Sequence, residues 1–307
     1  MIRTMPEASP TAKTRCGYVA IVGRPNVGKS TLLNRLVRQK LSITSKKPQT
    51  TRHHLLGIRT TGDTQVLYVD TPGIHGKEKR AIDRYMNRSA KSVLRDVDVI
   101  VLVVDRTEWT TDDELMPDLL RDTGAALVVA VNKIDLMSGK RTLLPQLARL
   151  QKIFPNAELV PLSAETGENL EKLESLVCSR LPEGPFLFPG EQITDRSERF
   201  LAAEAIREKM MRLLGDELPY SLALQIDRFE DTGKIVHIDA TAFVEREGQK
   251  AILIGKGGEK LKRIGSDARR DIEKLLESKV MLNLWVKVKS GWSDDERALK
   301  SLGYDDD

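Results

Sequence analysis

The sequence predicts an α/β chain of two parts, a doubly wound P-loop domain over residues 16–181 and a smaller α+β domain over residues 194–307. Three observations predict it. Gly23-Arg24-Pro25-Asn26-Val27-Gly28-Lys29-Ser30 matches the phosphate-loop pattern of strand, glycine-rich turn and helix. Short apolar runs then alternate with segments of helical spacing, the rhythm of βαβ units. Finally, Leu181-Pro-Glu-Gly-Pro-Phe-Leu-Phe-Pro-Gly190 carries three prolines and two glycines, which continue neither a helix nor a central strand.

In chain order, residues 1–15 place Arg3, Lys13 and Arg15 among Pro, Thr and Ser and read as a loose tail; Glu7 and two prolines argue against an amphipathic transit peptide. Gly17–Val22 suits a buried parallel strand, and Leu32, Leu33, Leu36 and Val37 carry helical spacing. Further strands are expected at 65–70, 97–105, 126–132 and 158–162, with helices over 81–95, 112–122, 140–153 and 168–181. The linker spans 182–193. Beyond it a helix is expected over 194–214, opened by Thr194 or Asp195 as N-cap, then strands over 219–228 and 234–245. Val236, Ile238, Ala240, Ala242 and Val244 alternate, giving one buried face. Ile252-Leu-Ile reads as a strand end before Gly255-Lys-Gly-Gly258, one helix follows that loop, another covers about 266–277, and 281–288 forms the last strand. Asp305–Asp307 reads as a solvated acidic tail.

Composition narrows the function classes. The 307 residues are 40% hydrophobic and 31% charged, as in a soluble globular protein, and no run of eighteen apolar residues would cross a membrane. Cys16 and Cys178 are too few for a disulfide framework or a metal site, which suits a reducing cytoplasm. The net charge of +4 is modest, so basic residues matter through clustering.

The phosphate loop has a definite chemistry. Its glycines let successive N–H groups turn inward on phosphate oxygens at a helix N-terminus. Lys29 adds a positive charge, and the Ser30 hydroxyl is placed to ligate Mg²⁺. Asp70-Thr-Pro-Gly73 ends the next strand, where a carboxylate can hold the Mg²⁺ shell and the Gly73 N–H can meet a terminal phosphate. Asn132-Lys133-Ile-Asp135 follows another strand. A carboxylate at Asp135 accepts from both N1–H and the exocyclic amine of guanine, a pair of donors that adenine lacks, so GTP and GDP are expected over adenine nucleotides. Ser163-Ala164 follows the last strand, with the Ala164 N–H set toward guanine O6.

These four motifs resemble the translation-factor-related GTPases, and Gln49-Thr-Thr-Arg-His53 looks like the first switch of the Era family. The resemblance implies that Thr51, or else Thr50, closes on Mg²⁺ and the γ-phosphate. It makes Lys29 and Thr51 the catalytic pair, Ser30, Thr51 and Asp70 the metal set, and adds Val27, Thr31 and Lys133 to the nucleotide site. Residues 41–53 and 73–80 are polar and lack apolar periodicity, as switch segments would be. Ile74 follows the Asp-x-x-Gly where Ras-type enzymes carry glutamine, so charge clamping must do more of the chemistry. By the same resemblance, Asn26 would help hold a K⁺ beside the phosphates.

In the second domain, seven Lys/Arg stand against four acids within 252–274, while Leu261, Ile264, Ala268 and Ile272 form an apolar stripe. The loop Gly255-Lys256-Gly257-Gly258 with Lys260, Lys262 and Arg263 is the arrangement by which KH modules clamp a single-stranded backbone. Trp285, on a strand face with Asn283 and Lys287, either stacks a base or packs. The element order resembles a type II KH domain, which Era-family proteins join to a GTPase domain; with Leu299–Tyr304 the resemblance covers the chain after residue 16. It implies a switch that binds the 3′ end of 16S ribosomal RNA in assembly of the 30S subunit, in the cytoplasm. Two other classes stand beside it: an RNA chaperone with a vestigial nucleotide site, and a regulator peripheral to the inner membrane through its basic helix.

Overall fold

The computed structural model describes residues 13–45, 50–76, 80–106, 109–137, 139–213 and 222–304. Most of the expected N-terminal tail, the acidic tail, Gln49 and parts of both switch segments lie outside them.

The first sheet contains β1 (Arg15–Val22), β2 (Leu55–Thr61), β3 (Thr64–Asp70), β4 (Val99–Asp105), β5 (Ala126–Asn132) and β6 (Glu158–Pro161), in spatial order β2-β3-β1-β4-β5-β6. All pairings are parallel except β2 with β3. That antiparallel edge strand corrects the sequence reading, in which 55–61 carried no strand. Its Arg-Thr-Thr end is polar and outside the apolar rhythm, because one flank of an edge strand faces away from the core.

Alternate residues of β1 explain the layers. Val19 and Ile21 pack on Leu32, Leu33, Leu173 and Val177, from α1 (Lys29–Val37) and α5 (Leu170–Arg180). Ala20 and Val22 pack on Ala90, Met116 and Leu150, from α2 (Ala81–Val93), α3 (Met116–Leu120) and α4 (Leu144–Ile153). The helix expected over 112–122 is reduced to a 3₁₀ turn and the five residues of α3, with Pro117 in its first turn. With parallel strands all ending at one edge, the loops after β1, β3, β5 and β6 share that edge.

The proline-rich segment lies against the first sheet. Gln65, fully buried on β3, accepts from the N–H groups of Leu187 and Phe188 at 2.9 and 3.0 Å and donates to the Phe188 carbonyl at 2.8 Å. Ile58 on the free flank of β2 donates to the Ile193 carbonyl, so the segment also covers the sheet edge.

The second sheet has order β7-β8-β9, from β7 (Ala223–Asp231), β8 (Ile235–Val244) and β9 (Lys279–Val288). One face carries the helices α6 (Glu198–Leu213), α7 (Glu247–Ile254) and α8 (Glu259–Leu276). Val236, Ile238, Ala240, Ala242 and Val244 are buried as the alternation requires. Three expectations need correction. Neither Thr194 nor Asp195 caps α6: the Thr194 hydroxyl donates to the Leu56 carbonyl, and Ser197 accepts from Phe200 N–H. Ile252–Ile254 end the helix α7, not a strand; Gln249 caps it by accepting from the N–H groups of Glu245 and Arg246. The two helices after the glycine loop are one helix of 18 residues, which runs through Gly265 and Ser266 because Ile264, Ala268 and Ile272 hold one stripe against the sheet.

A last helix, α9 (Glu296–Ser301), is capped by Asp295 and returns to the first domain. Trp292, Leu299, Leu302 and Tyr304 form one apolar cluster with Ala81, Ile82, Tyr85 and Met86 of α2. Among the described residues no helix is long and apolar enough to cross a membrane.

Candidate functional site

The loop between β1 and α1 wraps the N-terminus of that helix. Gly28 has φ 104°, and a Cβ there would stand 2.3 Å from Asn132 Nδ2, so glycine is obligatory on both counts. Val27 is buried in the core, leaving only its backbone to the site; its carbonyl accepts from Asn132 Nδ2 at 2.7 Å. Asn26 holds a left-handed φ of 64° on the cavity wall. Lys29 turns back on the loop, its Nζ donating to the carbonyls of Gly23 and Arg24, both at 3.0 Å. Burial brings its pKa down to about 8, against the pull of Asp70.

Ser30, Thr51 and Asp70 meet. The Ser30 and Thr51 hydroxyls are 2.7 Å apart, and Asp70 Oδ2 accepts from Ser30 at 2.7 Å, from Ser42 at 2.8 Å and from Thr51 at 3.4 Å. Burial raises the Asp70 pKa, which Lys29 and these hydroxyls partly offset. Its second oxygen, Oδ1, is buried with no hydrogen-bond partner. Three hard oxygen donors with one buried carboxylate oxygen unsatisfied fit a small divalent cation such as Mg²⁺. Thr50 lines the same cavity, and its carbonyl accepts from Arg207. Gly73 lies so close to the loop that a Cβ would come 2.7 Å from Pro25 N. Ile74 is 2% exposed and offers the site no side-chain polarity.

On the far side, Asn132 works as a tie. Its Oδ1 accepts from Lys133 N–H at 2.8 Å and from Ala164 N–H at 2.9 Å, so the Ala164 donor set toward guanine O6 in the sequence reading is engaged with Asn132 here. Lys133, at φ 69°, pairs with Asp105 at 2.9 Å. Ser163 is buried and accepts from Thr166 N–H, closing the turn. Asp135 is exposed in a 3₁₀ turn and lines the same cavity of about 930 Å³ as Gly28, Lys29, Ser30, Thr31, Thr51, Gly73 and Ala164. Phosphate loop, hydroxyl cluster and exposed carboxylate thus line one space large enough for a nucleotide.

Two contributors went unrecognised in the sequence. Ser42 shares Asp70 with Ser30. Arg212, from α6 of the other domain, also lines the cavity. Neither belongs to a local motif, so no spacing signal marks them.

The second candidate surface is the turn between α7 and α8. Gly255, Gly257 and Gly258 have φ of 74°, 61° and 82°, and Lys256, Lys260, Lys262 and Arg263 are exposed around them. A groove of about 490 Å³ runs beside it, lined by Gly258 of the turn, by Lys262, Gly265, Ser266 and Arg269 on α8 and by 282–285 on β9. Trp285 is 47% exposed, which decides against packing; it shares the open sheet face with Asn283, whose amide donates to Asp239.

Comparison with known proteins finds matches to both halves of the chain. Residues 18–133 match the family described as 50S ribosome-binding GTPase, and residues 217–293 match the KH domain. GTPase Era of Pseudomonas putida strain W619 is 60% identical over 302 residues, 98% of this chain and all of the relative. Its counterpart in Pseudomonas fluorescens strain Pf-5 is 59% identical over 95% of this chain and 98% of the relative. Among solved structures, Era in complex with MgGDPNP and nucleotides 1506–1542 of 16S ribosomal RNA superposes with a TM-score of 0.92 at 39% identity, covering 95% of this chain and 99% of the other. Aquifex aeolicus Era bound to GDP and AlF₄⁻, as a Tyr-to-Ala variant, gives 0.91 with the same identity and coverage.

Proposed function

The chain belongs to the Era family of GTPases, and from that premise we propose that its GTP hydrolysis drives a switch which binds the 3′ end of 16S ribosomal RNA during assembly of the 30S subunit. The observation that carries the RNA half is the glycine turn between α7 and α8, three left-handed glycines ringed by exposed Lys and Arg beside an open groove.

In the GTP site each residue has a separable task. The N–H groups of the loop and the Lys29 ammonium bind the phosphates and hold charge where it develops in the transition state. Ser30, Thr51 and Asp70 would hold Mg²⁺, which when bound neutralises charge on the β- and γ-phosphates. Asp135 selects guanine, and the Asn132 bonds to Val27 and Ala164 fix the distance between base and phosphate ends. Ile74 cannot orient a water, so electrostatic clamping carries the reaction, with K⁺ near Asn26 as a further positive charge. Segments 1–15, 16–181, 182–193 and 194–307 then act as tail, GTPase domain, linker and RNA-binding domain.

The test is GTP turnover with and without an RNA spanning the 3′ end of 16S ribosomal RNA, beside direct RNA binding in the GDP and GDPNP states. Turnover that responds to this RNA, with binding that depends on the nucleotide, is expected. RNA binding indifferent to nucleotide and turnover indifferent to RNA would overturn the switch.

A further inference from the structure

Helix α6 is buried along two stripes. Ala202, Ile206 and Met210 recur every four residues and enter the core of their own domain. Glu204, Arg207, Glu208 and Arg212 occupy a second stripe, with Arg207 and Glu208 at 3% and 0% exposure. Charges buried this deeply are tolerated only when paired and hydrogen-bonded; Glu204, Lys209 and Arg212 of α6 meet part of that need, and the rest is met from the GTPase domain by Lys40, Thr44 and Thr50.

Those partners bracket one segment. Glu208 accepts from the Thr44 N–H at 3.1 Å and from Lys40 Nζ at 2.6 Å, while Arg212 Nη2 donates to the Thr44 hydroxyl at 3.1 Å. Arg207 Nη2 donates to the Thr50 carbonyl at 2.6 Å, and its guanidinium is fixed by Glu204, whose two oxygens accept at 2.7 and 2.6 Å. On the other side of Thr51, the Arg52 guanidinium donates to the Leu222 carbonyl at 2.6 Å and the Tyr304 hydroxyl at 2.8 Å. Thr51, whose hydroxyl completes the Ser30–Asp70 cluster, is therefore held through both its neighbours by the other half of the chain.

We infer that Arg207 is a positioning residue for GTP hydrolysis: its grip on the Thr50 carbonyl presents the Thr51 hydroxyl at the Ser30–Asp70 site, so the RNA-binding domain sets how well the GTPase domain holds its Mg²⁺. The inference rests on the reading of Thr51 as a metal ligand. A main-chain carbonyl is an economical handle, because one peptide plane separates it from the Thr51 Cα and a rotation there carries the hydroxyl with it. The bidentate salt bridge to Glu204 holds the planar guanidinium in one orientation, which a flexible lysine would not keep. Any movement of α6 on RNA binding would reach the metal site through a single hydrogen bond.

The experiment compares the full-length parent with Arg207→Ala, Arg207→Lys, Thr51→Ala and Arg207→Ala/Thr51→Ala. Expected for Arg207→Ala is a tenfold or greater loss of kcat, with GDP affinity within twofold of the parent. The Mg²⁺ concentration that half-saturates GDPNP retention, read by fluorescent-nucleotide release, should rise at least fivefold. Arg207→Lys should recover part of both. In the Thr51→Ala background the Arg207 substitution should cost no more, since the group it positions is already gone. Losses that multiply in the double variant, or an unchanged Mg²⁺ requirement in Arg207→Ala, would overturn the inference. Should Arg207→Ala fail to fold, Glu204→Gln, which frees the guanidinium while keeping its bond to Thr50, must show a smaller rise in the Mg²⁺ requirement; no rise overturns it equally. A parent whose GDPNP retention ignores Mg²⁺ would instead refute the metal-site reading beneath it.

Discussion

Arg52 and Tyr304, 252 positions apart in sequence, share a hydrogen bond of 2.8 Å from guanidinium to phenol. The Arg52 side chain is almost wholly buried and also faces the rings of Trp292 and Tyr304, each at 5.8 Å from the centroid. A buried guanidinium is costly unless its charge is met, and here a carbonyl and a phenol both accept from Nη1 while two π faces lie against the charge. The first switch is thereby fastened to the C-terminal turn. Tyr304→Phe keeps the ring stacking on His53 and deletes only the acceptor. A hydrogen bond to a charged group contributes about 1.5–3 kcal/mol, so the variant should unfold at a clearly lower urea concentration. An unchanged midpoint would show that the phenol is replaced by another acceptor.

His53 gives the same junction a pH dependence. Its ring stacks on Tyr304 at 4.8 Å between centroids and its Nδ1 lies 3.1 Å from the Tyr85 hydroxyl. Burial lowers its pKa from 6.5 to about 4; nearby Glu204 opposes this, while Arg207, Arg196 and Arg52 add to it. The folded ring stays neutral where the unfolded one takes up a proton. Stability is thus intact above pH 6.5 and falls as the pH drops toward 4, by about 2 kcal/mol between pH 7 and 5. His53→Gln should remove that share of the acid sensitivity. Identical slopes for parent and variant across pH 7 to 5 would mean that the ring is not held neutral.

Lys29 predicts a pH dependence of binding. With a pKa of about 8 in the absence of phosphate, the buried amine is charged at pH 7 and mostly neutral at pH 9. Phosphate oxygens favour the charged form, so nucleotide binding should take up a proton at high pH. GDP affinity should fall about tenfold from pH 7 to 9. Lys29→Arg keeps its charge throughout and should show no such fall. Affinity constant across that range in the parent would place the Lys29 pKa well above 9.

How much of this was legible follows from where the information sits. The phosphate loop, Asp70–Gly73 and Asn132–Asp135 are contiguous motifs at strand ends, so the strand that positions each residue precedes it in the sequence. Strand β2 escaped because an antiparallel edge strand interrupts the βαβ rhythm. Ile252-Leu-Ile254 read as a strand end because three apolar residues fit either period, and only the cap from Gln249 marks a helix. Arg207 and Glu208 look in sequence like the solvated side of an amphipathic helix. Only the packing of α6 on Lys40, Thr44 and Thr50 buries them, a relationship that no local pattern encodes.

Asn26 tests the second cation. It stands in the left-handed region on the cavity wall, at the point of the phosphate loop where a side-chain carbonyl can face the phosphates. With Ile74 unable to orient water, a K⁺ held there would add the charge that an arginine finger adds elsewhere. Turnover should be faster in K⁺ than in Na⁺ at equal ionic strength, and Asn26→Ala should abolish the difference. Equal parental rates in the two salts would remove K⁺ from the site.

The glycine turn allows the RNA surface to be challenged without touching the core. Gly255 is unsuitable for this: a Cβ there would stand 2.9 Å from Lys260 Cγ and 3.2 Å from its amide nitrogen, so substitution would report packing. Gly257 has open space around the missing Cβ, and its φ of 61° is one that Asp tolerates at a cost of roughly 1 kcal/mol. Lys256→Asp with Gly257→Asp changes the local charge by about three units where a nucleic-acid backbone would approach, while Ile264, Ala268 and Ile272 stay buried. Affinity for the 3′ end of 16S ribosomal RNA should fall more than tenfold, or by more than ~1.4 kcal/mol, with a shallower dependence on salt. GTP turnover without RNA should persist, because the nucleotide cavity draws its lining from the GTPase domain and from α6, neither of which includes the turn. Stimulation by RNA should disappear with the binding. A folded double variant that still binds RNA with parental affinity and salt dependence would reduce these glycines to what α7 and α8 need in order to reverse direction.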